Sequence, residues 1–138
     1  MAERTVVVRA SEFMGGAPME GRPGVRDWKL IYPDLIPETK TLIMGLVEVP
    51  PGQHTPLHQH RCEEVYYVLQ GRGRVEVDGV DYPVGAGDAA YIRESSAHRI
   101  FNTDPEIALR YVVVAGIMLI GLLPQWPTPG PYEILESG

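Results

Sequence analysis

The sequence predicts an all-β protein, a sandwich or barrel of short strands, and three observations carry that prediction. Glycine (15) and proline (13) are both abundant, as many tight turns require. Runs rich in Val, Ile, Leu and Tyr recur at close spacing between those turn residues. No amphipathic pattern is sustained over three helical turns. At 138 residues the chain has the size of one domain and can bury a core without disulfides. It reads as one unit: strands and loop over 1–40, a barrel over 41–119, and a Pro-rich tail over 120–138.

Taken in order, Thr5–Arg9 is a β-branched run and an expected opening strand. Gly15–Gly24 holds four glycines and two prolines and reads as loop. Strand character resumes at Lys29–Tyr32 and Thr41–Val49, then stops at Pro50-Pro51-Gly52. Glu64–Leu69 is the next strand. Arg74–Val77 and Val80–Val84 flank Asp78-Gly79, the strongest two-residue hairpin signal in the chain. That turn pairs Val77 with Val80, Glu76 with Asp81 and Val75 with Tyr82. It predicts an apolar face of Val75, Val77, Val80 and Tyr82, and a wet face where Arg72 and Arg74 offset the two acids. Gly85–Asp88 is a turn, Ala89–Ile92 a short strand and Ser95–Ala97 a bend. Arg99–Asn102 and Ala108–Leu119 complete the pattern. Tyr111–Pro124 is uncharged but shorter than the roughly 20 residues a membrane helix needs, so it reads as buried strand. Pro124–Pro131, with four prolines, is expected to lie against the surface.

The bulk chemistry excludes several classes. A net charge of −6 with no basic run argues against nucleic acid and against an anionic membrane. Cys62 is the only cysteine, so no intrachain disulfide and no Cys-rich zinc module can form. Together with an N-terminus lacking a signal-peptide core, this points to the cytoplasm. A homodimer is expected, because an opening strand such as Thr5–Arg9 readily pairs with a neighbour's sheet edge.

The chemistry concentrates in residues 52–71, Gly-Gln-His-Thr-Pro-Leu-His-Gln-His-Arg-Cys-Glu-Glu-Val-Tyr-Tyr-Val-Leu-Gln-Gly. In an extended strand His58 and His60 project to the same side, and Glu64 follows closely. Two imidazoles beside a carboxylate suit a divalent transition metal. Gly52, His58, His60, Glu64 and Gly71 match the first motif of the cupin family in residue type and spacing. Gly79, Pro83, Gly87-Asp88, His98 and Asn102 match the second motif, while Arg93 and Ser95 stand where the family usually has Pro and Gly. The chain thus resembles a small single-domain cupin over roughly residues 40–115. The resemblance implies a double-stranded β-helix, or jelly-roll barrel, with His58, His60, Glu64 and His98 holding one metal ion in its mouth. Three imidazoles and a carboxylate suit iron, manganese, nickel, cobalt, copper or zinc, and leave coordination positions open. The residual charge, about +1 for a divalent ion with one glutamate, favours a small anionic ligand such as a carboxylate, enolate or phenolate.

Other side chains invite weaker readings. Tyr66 shares the face of Glu64 and is a candidate general base, or else a core tyrosine. His54 reads as a loop histidine unless it turns inward, and Cys62 as a small buried residue or a redox-sensitive neighbour of the metal. Arg93, Arg72 and Arg110 are candidates for gripping a substrate carboxylate, or plain surface ions. Met44, Tyr91, Ile100, Val112 and Met118 are expected to line the barrel. The first functional expectation is a metal-dependent dioxygenase in which Glu64 detaches and accepts a proton. The alternatives are a non-oxidative isomerase, lyase or decarboxylase with Tyr66 as base, and a non-catalytic cupin that captures a metabolite or metal.

Overall fold

The computed structural model describes residues 5–13, 19–22, 24–33, 35–116 and 132–135. The strands are β1 (Met19–Arg22), β2 (Val25–Ile31), β3 (Leu42–Val49), β4 (His58–His60), β5 (Glu64–Gln70) and β6 (Arg72–Val77), followed by β7 (Val80–Gly85), β8 (Ala89–Ile92), β9 (His98–Asn102), β10 (Leu109–Gly116) and β11 (Tyr132–Ile134). A single short helix, α1 (Ala10–Phe13), precedes them among the described residues. The strands form two antiparallel sheets, β1-β2-β3-β10-β5-β8 and β11-β4-β9-β6-β7. This is the all-β jelly roll that the sequence predicts.

Alternation places one face of each sheet in a shared core. Ile43, Val47 and Val49 of β3, Tyr66 and Val68 of β5, and Tyr111 and Val113 of β10 meet Val75 of β6 and Ile100 of β9 there. A second cluster lies on the outer face of the larger sheet, where Trp28, Leu30 and Leu46 pack under Val8 and Ala10. That cluster explains why Thr5–Arg9 forms no strand, contrary to expectation. Part of the segment packs over the outer sheet face instead of pairing along an edge, and Val6 and Val7 stay 70% and 64% exposed.

Other departures have equally local causes. Gly15–Gly24 is not all loop, because Met19–Arg22 pairs with β2. Two strands within residues 1–40, β1 and β2, belong to the larger sheet. In the tail, Tyr132–Ile134 pairs with His58–His60 and covers one edge of β4. The Pro124–Pro131 segment and Met118 lie outside the described residues. No helix among the described residues is long and apolar enough to cross a membrane.

The Asp78-Gly79 hairpin has the register the turn dictates, with both turn residues at positive φ as a type I′ turn requires. Arg74 pairs with Asp81, but it is Arg99 from the adjacent strand that offsets Glu76, while Arg72 pairs with Asp104. The expected apolar face is only half buried: Val75 is in the core, whereas Val80 and Tyr82 are 52% and 53% exposed. They sit on β7, the outermost strand of its sheet, beside a groove of about 480 Å³ that separates β7 from β8. Of the expected lining residues, Ile100 faces the core. Met44, Val112 and the exposed Tyr91 belong to the opposite, outer face of their strands.

Gly73 marks the closest approach within the smaller sheet, since a Cβ there would lie 2.1 Å from the Phe101 carbonyl oxygen. Backbone cannot yield as a side-chain tip can. Gly73→Ala is expected to destabilise the fold by about 3 kcal/mol, read as a lowered midpoint in urea unfolding; an unchanged midpoint contradicts this packing.

Candidate metal centre

The four residues singled out in the sequence come together. His58, His60, Glu64 and His98 are all buried, and one ligand-type atom from each lies within 4.8 Å of the others. They are delivered by three strands. His58 and His60 occupy alternate positions of β4, Glu64 begins β5, and His98 begins β9 directly opposite His58.

Each imidazole is held by the same device. His58 Nδ1 lies 2.7 Å from the Pro56 carbonyl oxygen, His60 Nδ1 3.0 Å from that of Cys62, and His98 Nδ1 2.7 Å from that of Ser96. A carbonyl oxygen only accepts, so Nδ1 carries the proton in all three rings. In the neutral imidazole the lone pair then sits on Nε2. His60 Nε2 and His98 Nε2 lie 2.7 and 3.0 Å from the same oxygen, Glu64 Oε2. Two lone pairs aimed at a carboxylate repel unless something positive stands between them. Either protons or a metal cation must supply that charge, and a buried set of three imidazole nitrogens and one carboxylate oxygen suits a transition metal. The residues present therefore fit a single metal ion.

The ionisation pattern without an ion follows from the same geometry. Burial alone would raise the Glu64 carboxyl, but hydrogen bonds from His60 and His98 outweigh it and hold Glu64 well below the usual carboxylate range. Burial pulls the His60 imidazolium down, yet its bonds to Cys62 and Glu64 prevail and raise it to about 10. His58 is pushed well down, by burial first and by the neighbouring His98 second.

The loop before His98 has its own support. Asp78 Oδ1 accepts a hydrogen bond from Ala97 N, and Asp78 N donates to the Ala97 carbonyl, so the hairpin tip clamps this loop. Ser95 N donates to the His60 carbonyl at 2.7 Å, tying the loop to β4. Ser95 has φ of +61°. It stands where the second motif ordinarily has glycine, the residue that adopts a left-handed backbone at no cost.

The remaining candidates separate cleanly. Tyr66 is 2% exposed, two residues beyond Glu64 on the same face, with its ring centroid 6.3 Å from that of His98 and 4.7 Å from that of Tyr111. Cys62 is buried, and its Sγ lies 3.3 Å from His60 Nδ1. His54 is not brought to the cluster: its ring packs on Phe101, a residue of the outward face of β9. The three arginines are also elsewhere. Arg93 is exposed and reaches Asp78 and Ser96, Arg72 reaches Asp104, and Arg110 reaches Glu48.

Two further charged residues share the barrel's inner wall, and the sequence reading passed over them. Asp27 and Lys29 on β2 pair with Val47 and Gly45, which belong to the inner face of β3. They alternate with Trp28 and Leu30, whose apolar side chains serve the outer cluster instead of the core. The one available signal was Gly45, a glycine within an otherwise bulky strand.

The family model described as Cupin domain matches residues 45–115. The chain belongs to the cupin family. A Thermotoga maritima protein named oxalate-binding protein is 32% identical over 101 residues, covering 71% of this chain and 84% of that one. Auxin-binding protein 1 of Arabidopsis thaliana is 30% identical over 104 residues, 69% of this chain, which spans only 52% of that protein's length. Among solved structures, a Thermotoga maritima protein described as a predicted oxalate decarboxylase superposes with a TM-score of 0.67 at 29% identity, covering 80% of this chain and 98% of that one. In this cupin the buried His and Glu cluster, carried by β4, β5 and β9, is compatible with a single metal site.

Two outcomes test the site. His58→Ala and His98→Ala should each lose the bound metal, measured by elemental analysis, while circular dichroism stays that of the β-fold; a fully loaded variant contradicts the assignment. Ser95→Gly should stabilise the protein by about 1 kcal/mol, since it relieves a left-handed backbone. A lower melting temperature in that variant would show that the serine side chain matters more than its φ.

Proposed function

We propose that this cupin is a metal-dependent enzyme acting on a small carboxylate, with His58, His60, Glu64 and His98 as the metal ligands and Tyr66 as the proton-handling residue. The observation that carries the reading is the shared tautomer of the three imidazoles, each held at Nδ1 by a backbone carbonyl so that Nε2 is left as the ligand atom, with those of His60 and His98 against Glu64. A divalent transition metal held there supplies Lewis acidity and open coordination positions for an anionic oxygen. Glu64 contributes a single carboxylate, so the centre keeps positive charge for such a ligand. A relative named for oxalate binding supports a small carboxylate as that ligand.

Tyr66 favours non-oxidative chemistry. Its position on β5, one inward step from Glu64, puts a phenol on the wall of the site, where it can take or return a proton next to a bound carboxylate. The core around it (Tyr111, Val68 and Val113) excludes bulk water from that transfer. Dioxygenase chemistry is the second reading and rests on the donor set, which also suits iron. A purely ligand-binding role is the third, favoured by the oxalate-binding relative. The lone buried Cys62 accords with a cytoplasmic setting.

Turnover of oxalate and related acids by the metal-loaded protein should proceed without O₂ consumption at an oxygen electrode. Tyr66→Phe should lower it by about 100-fold or more with metal content unchanged. Stoichiometric O₂ uptake would favour the dioxygenase. Equal turnover in Tyr66→Phe would remove tyrosine from the mechanism, and tight binding without any turnover would leave the ligand-binding role.

A further inference from the structure

The barrel's inner wall carries an ion pair that neither the cupin motifs nor the metal cluster accounts for. Lys29 Nζ lies 2.6 Å from Asp27 Oδ2, and the two side chains are only 11% and 19% exposed. Both face inward, since their partners across the strand, Gly45 and Val47, belong to the inner side of β3. Continuing across the sheet, Lys29 lies in register with Gly45, Val113 and Tyr66. Lys29 therefore shares its row of the wall with the proposed proton-handling tyrosine, while Asp27 lies in the neighbouring row with Val47, Tyr111 and Val68. The Tyr111 phenol, raised well above its ordinary value chiefly by burial, also senses both Glu64 and Asp27 as nearby negative charges.

Two observations show that this pair is more than a stray surface bridge. A Cβ on Gly45 would come within 3.0 Å of the Trp28 carbonyl oxygen, 3.3 Å of Asp27 Oδ1 and 3.4 Å of Lys29 Cδ, so the glycine leaves room for both the neighbouring backbone and the pair. Asp27 Oδ1 is buried and has no hydrogen-bond partner. A buried acceptor left open costs stability, and a partly buried ion pair is a weak stabiliser compared with apolar packing. Stability alone does not explain why charge lines this wall.

We propose that Lys29 and Asp27 anchor the far end of a hydroxylated dicarboxylate whose near carboxylate sits at the His58–His60–Glu64–His98 centre. After its bond to Asp27, Lys29 retains two N–H donors for an anionic oxygen, and Asp27 Oδ1 can only accept, so it asks for a hydroxyl. An acid without a hydroxyl satisfies Lys29 and leaves Asp27 open. The inference rests on the small-carboxylate reading above and sharpens its substrate class.

The test is calorimetric titration of the metal-loaded protein with malate and succinate, which differ by one hydroxyl, and with oxalate. Wild type should bind malate about tenfold more tightly than succinate, as one hydrogen bond to a charged group implies. Lys29→Met should weaken malate by about tenfold or more, and Lys29→Arg should restore most of that loss. Asp27→Ala should bring malate and succinate to within about twofold of each other. Metal content and melting temperature measured on each variant identify any that fail to fold, and Lys29→Arg and Asp27→Ala decide the matter if Lys29→Met does. Malate affinity indifferent to Lys29, or a malate preference that persists in Asp27→Ala, overturns the inference while leaving the small-carboxylate reading intact. If wild type binds none of the three acids, that reading falls and the inference falls with it.

Discussion

Three hydrogen bonds from imidazole Nδ1 to backbone carbonyls govern this molecule's chemistry. Those of His58, His60 and His98 fix which nitrogen carries the proton, and so leave three lone pairs converging beside Glu64. Such an arrangement is electrostatically incomplete without added positive charge. Much of the surrounding fold holds it in place. The hairpin tip at Asp78 clamps the loop that presents Ser96 O to His98, and Ser95 ties that loop to the backbone of His60. β11 covers the free edge of the strand that carries two of the histidines.

The legible part of the sequence was the part set by local chemistry. Asp78-Gly79 dictates a type I′ turn because both residues tolerate positive φ, and it fixed the β6–β7 register before any tertiary contact is considered. His58, His60 and Glu64 were legible because strand alternation alone puts them on one side. His98 was legible only through the family motif, since 34 residues separate it from Glu64 and no local rule joins them. Tertiary decisions were not legible. Thr5–Arg9 has strand-forming residues but is used over an outer face. Asp27 and Lys29 look solvated beside Trp28 and Leu30 until the outer cluster claims those two. The same reversal misplaced Met44, Val112 and Tyr91, because alternation tells which residues share a face but not which face is inside.

The inner wall as a whole shows a division of labour. One row, Ile43, Ala115, Glu64 and Ile92, carries the carboxylate of the metal cluster within otherwise apolar surroundings. The next row, Lys29, Gly45, Val113, Tyr66 and Ala90, contains the ammonium and the phenol, with small residues between them. Polar groups are few and each stands against apolar neighbours, where electrostatic interactions are stronger than in water. The arrangement suits recognition of a ligand with few oxygens, and the fold alone, shared by proteins of many activities, would not have suggested it.

The central claim is that His58, His60, Glu64 and His98 together hold one transition metal. X-ray absorption at the metal edge of the purified, loaded protein tests it most directly. The account predicts a first shell of nitrogen and oxygen with three imidazoles resolved by multiple scattering, and a ratio of one metal per chain. A sulfur scatterer at the distance of a thiolate, which only Cys62 can supply, or a shell with fewer than three imidazoles, would contradict it.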